Sequence, residues 1–307
     1  MDLTKFSIQR WIYLVMSSLI MGCNSEDTPT ISNYMIVEID GNEFTYADEN
    51  LSVNENCNFI FINGATAQVD DKRFRLGFQL TKSGKISEIY CLDFSVSGIA
   101  APDYRSADFL SSEVFFINNF EYSESEGTLS FDFDGVLYEL DKKESSKRIS
   151  GRVETNQLLF TDCSISPRQI AATIDQQPFE SVEIEGETVT TTESQGQIIS
   201  IQSSWVGISD DGFKISILTS AELEDMTIGT YSFSENSSKN RVTLEKYEGV
   251  YEAVIFEDRN GAWKEFVCRG EFRIEQKVND SVVGIFSLKA YKNDEVIYTI
   301  TNGTFSI

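Results

Sequence analysis

Histidine is absent from the whole chain. This absence excludes Ser-His-Asp and Cys-His nucleophile systems, histidine-ligated zinc and haem with a proximal histidine. Any enzyme built from this sequence would have to use carboxylates, tyrosine, lysine or a hard cation. No combination of these residues forms a recognisable catalytic pattern. We therefore predict a non-enzymatic protein without a cofactor, with a carboxylate-based hydrolase as the less favoured alternative.

Basic residues are scarce as well: 25 Lys and Arg stand against 49 Asp and Glu, which gives a formal net charge of −24. A surface of this sign repels DNA, RNA and anionic lipid headgroups, so a nucleic-acid partner is excluded. We attribute the acidity to solubility, and cation binding is the alternative.

The N-terminus has the pattern of a secretory signal. Lys5 and Arg10 precede an apolar run, Trp11 to Met21, that is too short to span a bilayer. The run ends in Ile20-Met21-Gly22-Cys23, which resembles the bacterial lipobox, where a peptidase cuts before the cysteine and lipid is attached to its sulfur. Residues 1–22 are thus predicted to be a lipoprotein signal peptide, with Cys23 lipidated.

The mature protein would begin with a polar, acidic tether at residues 23–33 and would bind outer-membrane lipid through acylated Cys23. Several acyl chains on one residue give effectively permanent attachment. Asn24 is not the aspartate that commonly retains such proteins at the inner membrane. The tether's Ser25-Glu26-Asp27 resembles acidic signals that carry Bacteroidota lipoproteins to the cell surface, so we expect an outer-membrane, surface-exposed location.

Four cysteines remain after lipidation, namely Cys57, Cys91, Cys163 and Cys268. The cell envelope permits disulfides, and four cysteines allow three complete connectivities. A Cys57–Cys91 bridge is one hypothesis, worth roughly 3–4 kcal/mol in the chain-entropy model. Buried free thiols are the competing interpretation.

Almost every ordered stretch alternates apolar and polar residues with a period of two. Examples are Phe74-Arg75-Leu76-Gly77-Phe78, Leu129-Ser130-Phe131-Asp132-Phe133 and Phe213-Lys214-Ile215-Ser216-Ile217. This pattern is typical of half-buried antiparallel strands. Asp134-Gly135, Asp211-Gly212 and Asn260-Gly261 fit two-residue hairpin turns. We predict an all-β protein with two tandem antiparallel β-sandwich or flattened-barrel domains.

The two halves of the sequence resemble each other in order. Matched segments are Val37–Phe44 with Ala172–Phe179, Phe59–Ile62 with Ile198–Ile201, Phe74–Phe78 with Phe213–Ile217, Gly127–Phe131 with Gly270–Ile274, and Ile149–Gly151 with Val282–Gly284. We interpret them as two copies of one β-domain, at residues 34–166 and 167–307. Chance matching of alternating strands is the alternative.

The second copy resembles an uncharacterised family of Bacteroidota lipoproteins, known only as a domain of unknown function. The similar segments are Thr173–Phe179, Gly229–Phe233, Val283–Ser287 and Ile300–Phe305, and the resemblance covers residues 169–307. The first copy departs from it, because Cys163 stands near the place of Phe305 and the closing Asn-Gly turn is missing. The resemblance implies a fold and a cell-envelope address, and no activity.

Acidic pairs supply the candidate metal ligands. Asp70-Asp71 and Asp210-Asp211 fall at nearly equivalent turns of the two copies. Solvated hairpin tips are the favoured interpretation of these pairs, and a shared cation site is the alternative. Asp132-Phe133-Asp134-Gly135 superficially resembles a calcium loop. It lacks the ordered ligands and the closing glutamate of an EF-hand.

Two further residues are candidate glycan sites. Trp263 follows the Asn260-Gly261 turn, where an exposed ring would stack on a sugar, or would instead pair across strands. Ser281, in Asp280-Ser281-Val282, fits the short O-glycosylation pattern of Bacteroidota.

Together these observations predict a lipid-anchored envelope lipoprotein with a binding or interaction role. The ligand is open: a surface glycan and an outer-membrane protein are the two candidate partners. A carbohydrate-binding accessory protein is the alternative function.

Overall fold

The computed structural model describes residues 33–95, 100–140, 142–160, 168–192, 198–237, 239–256, 259–278 and 281–307. Side chains are described for all of these except residues 190–192, 198–201 and 259–260. The predicted signal peptide, Cys23 and the predicted boundary between residues 166 and 167 lie outside the described residues. Asn33 to Ile307 belong to one unit. No helix in the described part is both long and apolar enough to cross a membrane.

The described part of the chain is all-β, as the alternation predicted: 70% of its residues are in strands, and it contains one short α-helix. In the first half the strands are β1 (Asn33–Ile39), β2 (Asn42–Ala47), β3 (Leu51–Glu55), β4 (Phe59–Gly64), β5 (Ala67–Val69), β6 (Lys72–Thr81), β7 (Ile86–Asp93), β8 (Asp103–Arg105), β9 (Phe115–Ser123), β10 (Thr128–Glu139), β11 (Lys142–Thr155) and β12 (Leu159–Phe160). Short 3-10 turns occupy Asp48–Asn50 and Ser111–Glu113.

In the second half the strands are β13 (Gln169–Ile174), β14 (Gln177–Thr192), β15 (Ile198–Ser209), β16 (Phe213–Thr219), β17 (Gly229–Phe233), β18 (Arg241–Tyr247), β19 (Trp263–Glu265), β20 (Val267–Val278), β21 (Ser281–Lys292) and β22 (Glu295–Ser306). Helix α1 (Tyr251–Phe256) and a 3-10 turn at Arg259–Ala262 lie between β18 and β19.

Each half forms its own sheet. The first has the order β12-β3-β4-β6-β7-β8-β10-β11-β1-β2, with β5 beside β6 and β9 beside β10. Its described pairs are antiparallel apart from the parallel pair β12–β3. Strands β2 and β3 lie at opposite ends of this order, yet only Asp48–Asn50 separate them along the chain. Three residues can span only about 10 Å, so the sheet must curl to bring β2 close to β3.

The second sheet has the order β17-β20-β21-β22-β13-β14-β15-β16-β18-β19. In both halves the first strand lies between its hairpin partner and the last long strand of that half: β1 between β2 and β11, and β13 between β14 and β22. This shared order agrees with the earlier segment matches. The last two matches, which begin at Gly127 and at Ile149, are displaced by one strand. In the two sheets β11 occupies the same place as β22, so Gly151 corresponds to Gly303 and not to Gly284. The duplication itself stays a prediction.

The alternating residues form the cores that the sequence predicted. Phe74, Leu76 and Phe78 of β6 and Phe131 and Phe133 of β10 are buried in the core of the first half. Ile215, Ile217 and Phe272 are buried in that of the second half. Each such side chain contributes about 1.5–3 kcal/mol relative to an exposed position.

A third cluster joins the two halves. From the first half it contains Ala107, Phe109 and Leu110, which follow β8; from the second it contains Val182, Ile208, Tyr247, Tyr251 and Val254. We call this set the junction core. Helix α1 contributes Tyr251, whose hydroxyl accepts a hydrogen bond from the Ala107 N–H at 3.0 Å.

Two turn predictions are wrong. Asp134 and Gly135 lie within β10, where Gly135 packs against Phe115 of β9. Asn260 and Gly261 lie in the 3-10 turn before β19 and do not close a hairpin. Asp211-Gly212 does lie in a hairpin turn between β15 and β16, and Gly212 has φ +74°, but the turn has three residues, Asp210 to Gly212, and not two.

Candidate functional site

A groove runs along the seam between the two halves and has a volume of about 390 Å³. The first half lines it with Phe59, Gln79, Ser87, Glu88, Arg105 and Asp108, and the second half with Arg168, Val182, Glu183 and Ile184. We call this cavity the seam groove. Ligand sites commonly form where two structural units meet, because their side chains converge there from different strands.

Direct hydrogen bonds connect the walls of the seam groove. The Ser87 hydroxyl donates to the Val182 carbonyl oxygen at 2.6 Å, and Gln79 Nε2 donates to Ser87 Oγ at 3.2 Å. At the rim, Asn58 Nδ2 donates to the Arg168 carbonyl oxygen at 2.7 Å. The walls are thus fixed relative to each other before any ligand binds.

Arg105 is the central charged group of the seam groove. Its Nη1 lies 2.6 Å from Glu88 Oε1, and its Nη2 lies 2.9 Å from Asp103 Oδ2. The hydrogen bond that Arg105 donates to the Asp103 carboxylate is the main cause that raises the pKa of Arg105. The guanidinium and its carboxylates present donors and acceptors side by side, which suits a neutral polar ligand better than a strongly charged one.

Two aromatic rings accompany these polar groups. Phe59 is half-buried on the groove wall and lies edge-on to Phe61 with ring centroids 6.3 Å apart. The exposed Arg168 guanidinium lies 5.0 Å from the ring centroid of Trp205. The sequence alone does not predict this groove, since its residues come from strands distant in sequence. The apolar Phe59-Ile60-Phe61-Ile62 run was a partial signal, because such a run exposes alternate aromatic side chains.

The structure places Trp263 in a different environment from the one that sugar stacking requires. Its ring lies 5.2 Å from Phe109 and 5.2 Å from Tyr247, and the Lys214 ammonium is 4.4 Å from its centroid. Trp263 and Tyr247 are cross-strand partners on β19 and β18. The ring packs against the junction core, as the cross-strand alternative predicted, so the glycan-stacking prediction is wrong.

The Cys57–Cys91 bridge is also wrong. Cys91 is a buried free thiol on β7 opposite Leu76, and Cys57 forms a disulfide whose partner lies outside the described residues. Phe59, two residues after Cys57, pairs with Thr81 of β6. Thr81 is five positions along the strand from Leu76, the partner of Cys91, and five positions span roughly 17 Å at strand spacing. Such a separation is far beyond disulfide reach. Burial raises the pKa of Cys91 to about 12 and that of Cys268, also a free thiol, to about 11.

Ser281 is only 4% exposed at the start of β21, so the accessible position expected for O-glycosylation is not found; Asp280 lies outside the described residues. A glycan on this hydroxyl would require the start of the strand to open.

The acidic candidates are distributed over unlike environments. Asp70 and Asp71 form the exposed turn between β5 and β6, as the hairpin-tip alternative predicted. Asp210 is buried and accepts a hydrogen bond from the Ser111 N–H at 2.8 Å across the junction, and Asp211 accepts from the Ser209 hydroxyl. Asp132 and Asp134, on β10, face Arg152 and Arg148. Among the described residues no group of three or more acidic or cysteine side chains is placed to hold a metal ion.

Comparison with known proteins finds no matching family model, no matching curated protein and no matching solved structure. The resemblance of residues 169–307 to the Bacteroidota lipoprotein family therefore stays a prediction.

Proposed function

We propose that this chain is a non-enzymatic binding protein of the bacterial cell envelope, held at the outer membrane by lipid on Cys23, and that it takes its ligand in the seam groove. The observation that carries the proposal is the fixed geometry of the groove walls, which the Ser87–Val182 hydrogen bond and the adjoining junction core hold together. A preformed site binds at a lower entropic cost than one that must be ordered by its ligand.

The chemistry of the groove favours a carbohydrate as the ligand. Hydroxyl and amide groups of Ser87 and Gln79 and the Arg105–Glu88 pair can exchange hydrogen bonds with sugar hydroxyls. The half-buried ring of Phe59 can cover the apolar face of a sugar ring. An outer-membrane protein that docks over the same groove is the second candidate.

A glycan array probed with the purified mature lipoprotein tests the proposal. We expect binding to a defined polysaccharide, and Phe59→Ala should weaken it at least about tenfold, equivalent to about 1.4 kcal/mol. Phe116→Ala is the matched control, because Phe116 is 50% exposed on β9, outside the groove lining.

Other outcomes decide against parts of the proposal. A blank array together with copurification of an outer-membrane transporter would replace the carbohydrate with a protein partner. Hydrolysis of any arrayed glycan would overturn the non-enzymatic assignment. Failure of Cys23→Ala to abolish palmitate labelling in cells would remove the lipid anchor.

A further inference from the structure

A buried lysine lies inside the first half, next to two carboxylates that the seam groove does not use. Lys147 of β11 has its Nζ 3.1 Å from Asp93 Oδ2 and 3.0 Å from Asp40 Oδ2. The side chains of Lys147 and Asp93 are only 10% and 7% exposed, whereas that of Asp40 is 46% exposed. An amine nucleophile, a carboxyl carbon and a solvent-connected carboxylate therefore meet at one point.

Two aromatic rings shield the amine. The centroids of Phe74 and Tyr104 lie 4.9 Å and 4.8 Å from Lys147 Nζ. Two full charges in such surroundings carry a desolvation penalty that a neutral amide does not. Burial is the largest influence on both groups and disfavours both charges, but hydrogen bonds outweigh it. Those from Ser95 and Lys147 lower the pKa of Asp93, and those to Asp40 and Asp93 raise the pKa of Lys147.

The Asp93 carboxyl group is held in a fixed orientation. Its Oδ1 accepts a hydrogen bond from the Ser95 N–H at 2.9 Å, while Oδ2 faces Lys147. Ser95 is fixed in turn, because its hydroxyl accepts from the Arg73 N–H at 2.7 Å. A backbone N–H directed at Oδ1 would stabilise negative charge developing there during attack on the carboxyl carbon.

We propose that Lys147 and Asp93 condense into an intramolecular isopeptide bond that links β11 to the end of β7. The ammonium of Lys147 first gives a proton to the Asp40 carboxylate, and the free amine attacks the carboxyl carbon of Asp93. The bond from that carbon to Oδ2 breaks. Oδ2 leaves as water with the proton held by Asp40 and a second proton from the nitrogen. One C–N bond forms, one C–O bond breaks, one water is released, and no oxidant or reductant is needed.

Proximity makes this step feasible without an external enzyme. Effective molarities of well-oriented intramolecular reactions reach about 10⁵–10⁸ M. The reaction occurs once per molecule, so it can be slow and still go to completion. Asp175 stands at the second-half position that matches Asp40. The equivalent strand pairs Ile39–Ile149 and Ile174–Ile300 set Lys147 against Tyr298, so only the first half carries the reacting pair.

Peptide mapping of the purified wild-type protein tests the proposal. After denaturation and tryptic digestion we expect a branched peptide that contains both Lys147 and Asp93 and is lighter by one water than its two parts. Lys147→Arg and Asp93→Ala should each abolish it, and Asp40→Ala should slow its formation at least about tenfold. Lys214→Arg is the control, since it alters another lysine–carboxylate pair, with Glu245 at 2.8 Å, that is less deeply buried.

The wild-type result does not depend on any variant folding. A natively folded wild-type protein that yields only the two separate peptides would overturn the proposal. A branched peptide that persists in Asp93→Ala would overturn the assignment of the carboxyl partner, and one that forms at the wild-type rate in Asp40→Ala would overturn the role of Asp40.

Discussion

Asp210 shows how one side chain can connect the two halves. Its Oδ1 accepts from the Ser111 N–H, and its carbonyl oxygen accepts from the Leu110 N–H, both at 2.8 Å. Burial is the main cause that raises the pKa of its carboxyl group, although hydrogen bonds from Ser112 and Ser111 partly offset it. The residue therefore supplies acceptors that the junction needs, together with a charge that burial disfavours.

We expect Asp210→Asn to be as stable as the wild type at pH 7, or more stable by up to about 1 kcal/mol, because the amide keeps an oxygen acceptor without a buried charge. A raised pKa in the folded state means that the folded protein binds a proton more readily than the unfolded chain. The contribution of Asp210 to wild-type stability should thus grow as the pH falls toward about 4, and the advantage of Asp210→Asn should shrink. Urea unfolding of both proteins at several pH values measures this difference.

Asp210→Ala is the contrasting variant. It removes the acceptor and leaves the Ser111 N–H unsatisfied, which should cost about 1–3 kcal/mol. Equal stability of the Asn and Ala variants would show that the hydrogen bond across the junction contributes nothing.

Single residues were the least predictable level from sequence. Period-two alternation assigns a side chain to one face of a strand, but it does not say what covers that face. The sequence therefore left Trp263 either exposed for sugar stacking or paired across strands, and it could not show that Phe109, from the other half, packs against the ring. The sequence likewise left Cys91 as either a disulfide partner or a buried free thiol, and it is a fully buried free thiol in the core of the first half.

At the scale of elements, strand identity and alternation were largely predictable, whereas some turns were not. An Asp-Gly pair predicts a hairpin turn from local chemistry alone, yet Asp134-Gly135 continues β10 because a glycine is needed there for another reason. A Cβ on Gly135 would lie 2.5 Å from the Phe115 Cα. This glycine permits close strand packing, a requirement that only the neighbouring strand reveals.

Gly151 of β11 offers the clearest test of such close packing. A Cβ at this position would lie 2.1 Å from the Ile36 carbonyl oxygen of β1 and 2.7 Å from the Phe133 ring. Because the carbonyl oxygen belongs to the backbone, it cannot rotate away. We expect Gly151→Ala to destabilise the protein by about 1–3 kcal/mol, as measured by denaturant unfolding.

Gly261→Ala is the matched control, since a Cβ there would meet no atom within 4 Å. The free energy of unfolding of this control should stay within about 0.5 kcal/mol of the wild-type value. A Gly151→Ala protein as stable as this control would contradict the close approach of β1 and β11.

At the scale of the whole molecule, the junction core decides whether the halves unfold together. Phe109 is fully buried in it and contacts Tyr247 and Trp263 of the second half. The sequence could not predict this cluster, because its members are spread from residue 107 to residue 254 and follow no shared period. Helix α1, which supplies Tyr251, is also too short to give a helical pattern.

We expect Phe109→Ala to lose about 3–5 kcal/mol of stability and to uncouple the halves. The two buried free thiols are natural reporters, since Cys91 lies in the first core and Cys268 in the second. In the wild type, both should become reactive toward a thiol reagent at the same denaturant concentration. In Phe109→Ala they should become reactive at different concentrations, as mass spectrometry of the labelled peptides would reveal.

Phe116→Ala removes an aromatic ring of the same size from an exposed position. In this variant Cys91 and Cys268 should still become reactive at the same denaturant concentration. Simultaneous exposure of Cys91 and Cys268 in Phe109→Ala would mean that another contact couples the halves.

The pairing of β1 with β11 also determines the order in which the first half can form. Asn33 is opposite Thr155, and Ile39 is opposite Ile149. The first strand of this half therefore cannot complete its pairing until β11, almost the last strand, has been made. Contacts this distant in sequence slow folding, because the entropy of closing a long loop is lost before the strand pair contributes any stabilising free energy. Until residue 155 is available, β1 and β2 have only each other, and a two-stranded hairpin is at best marginally stable. During synthesis from the N-terminus, β1 would therefore expose unpaired backbone N–H and C=O groups, which can pair with other chains, until most of the first half has been made.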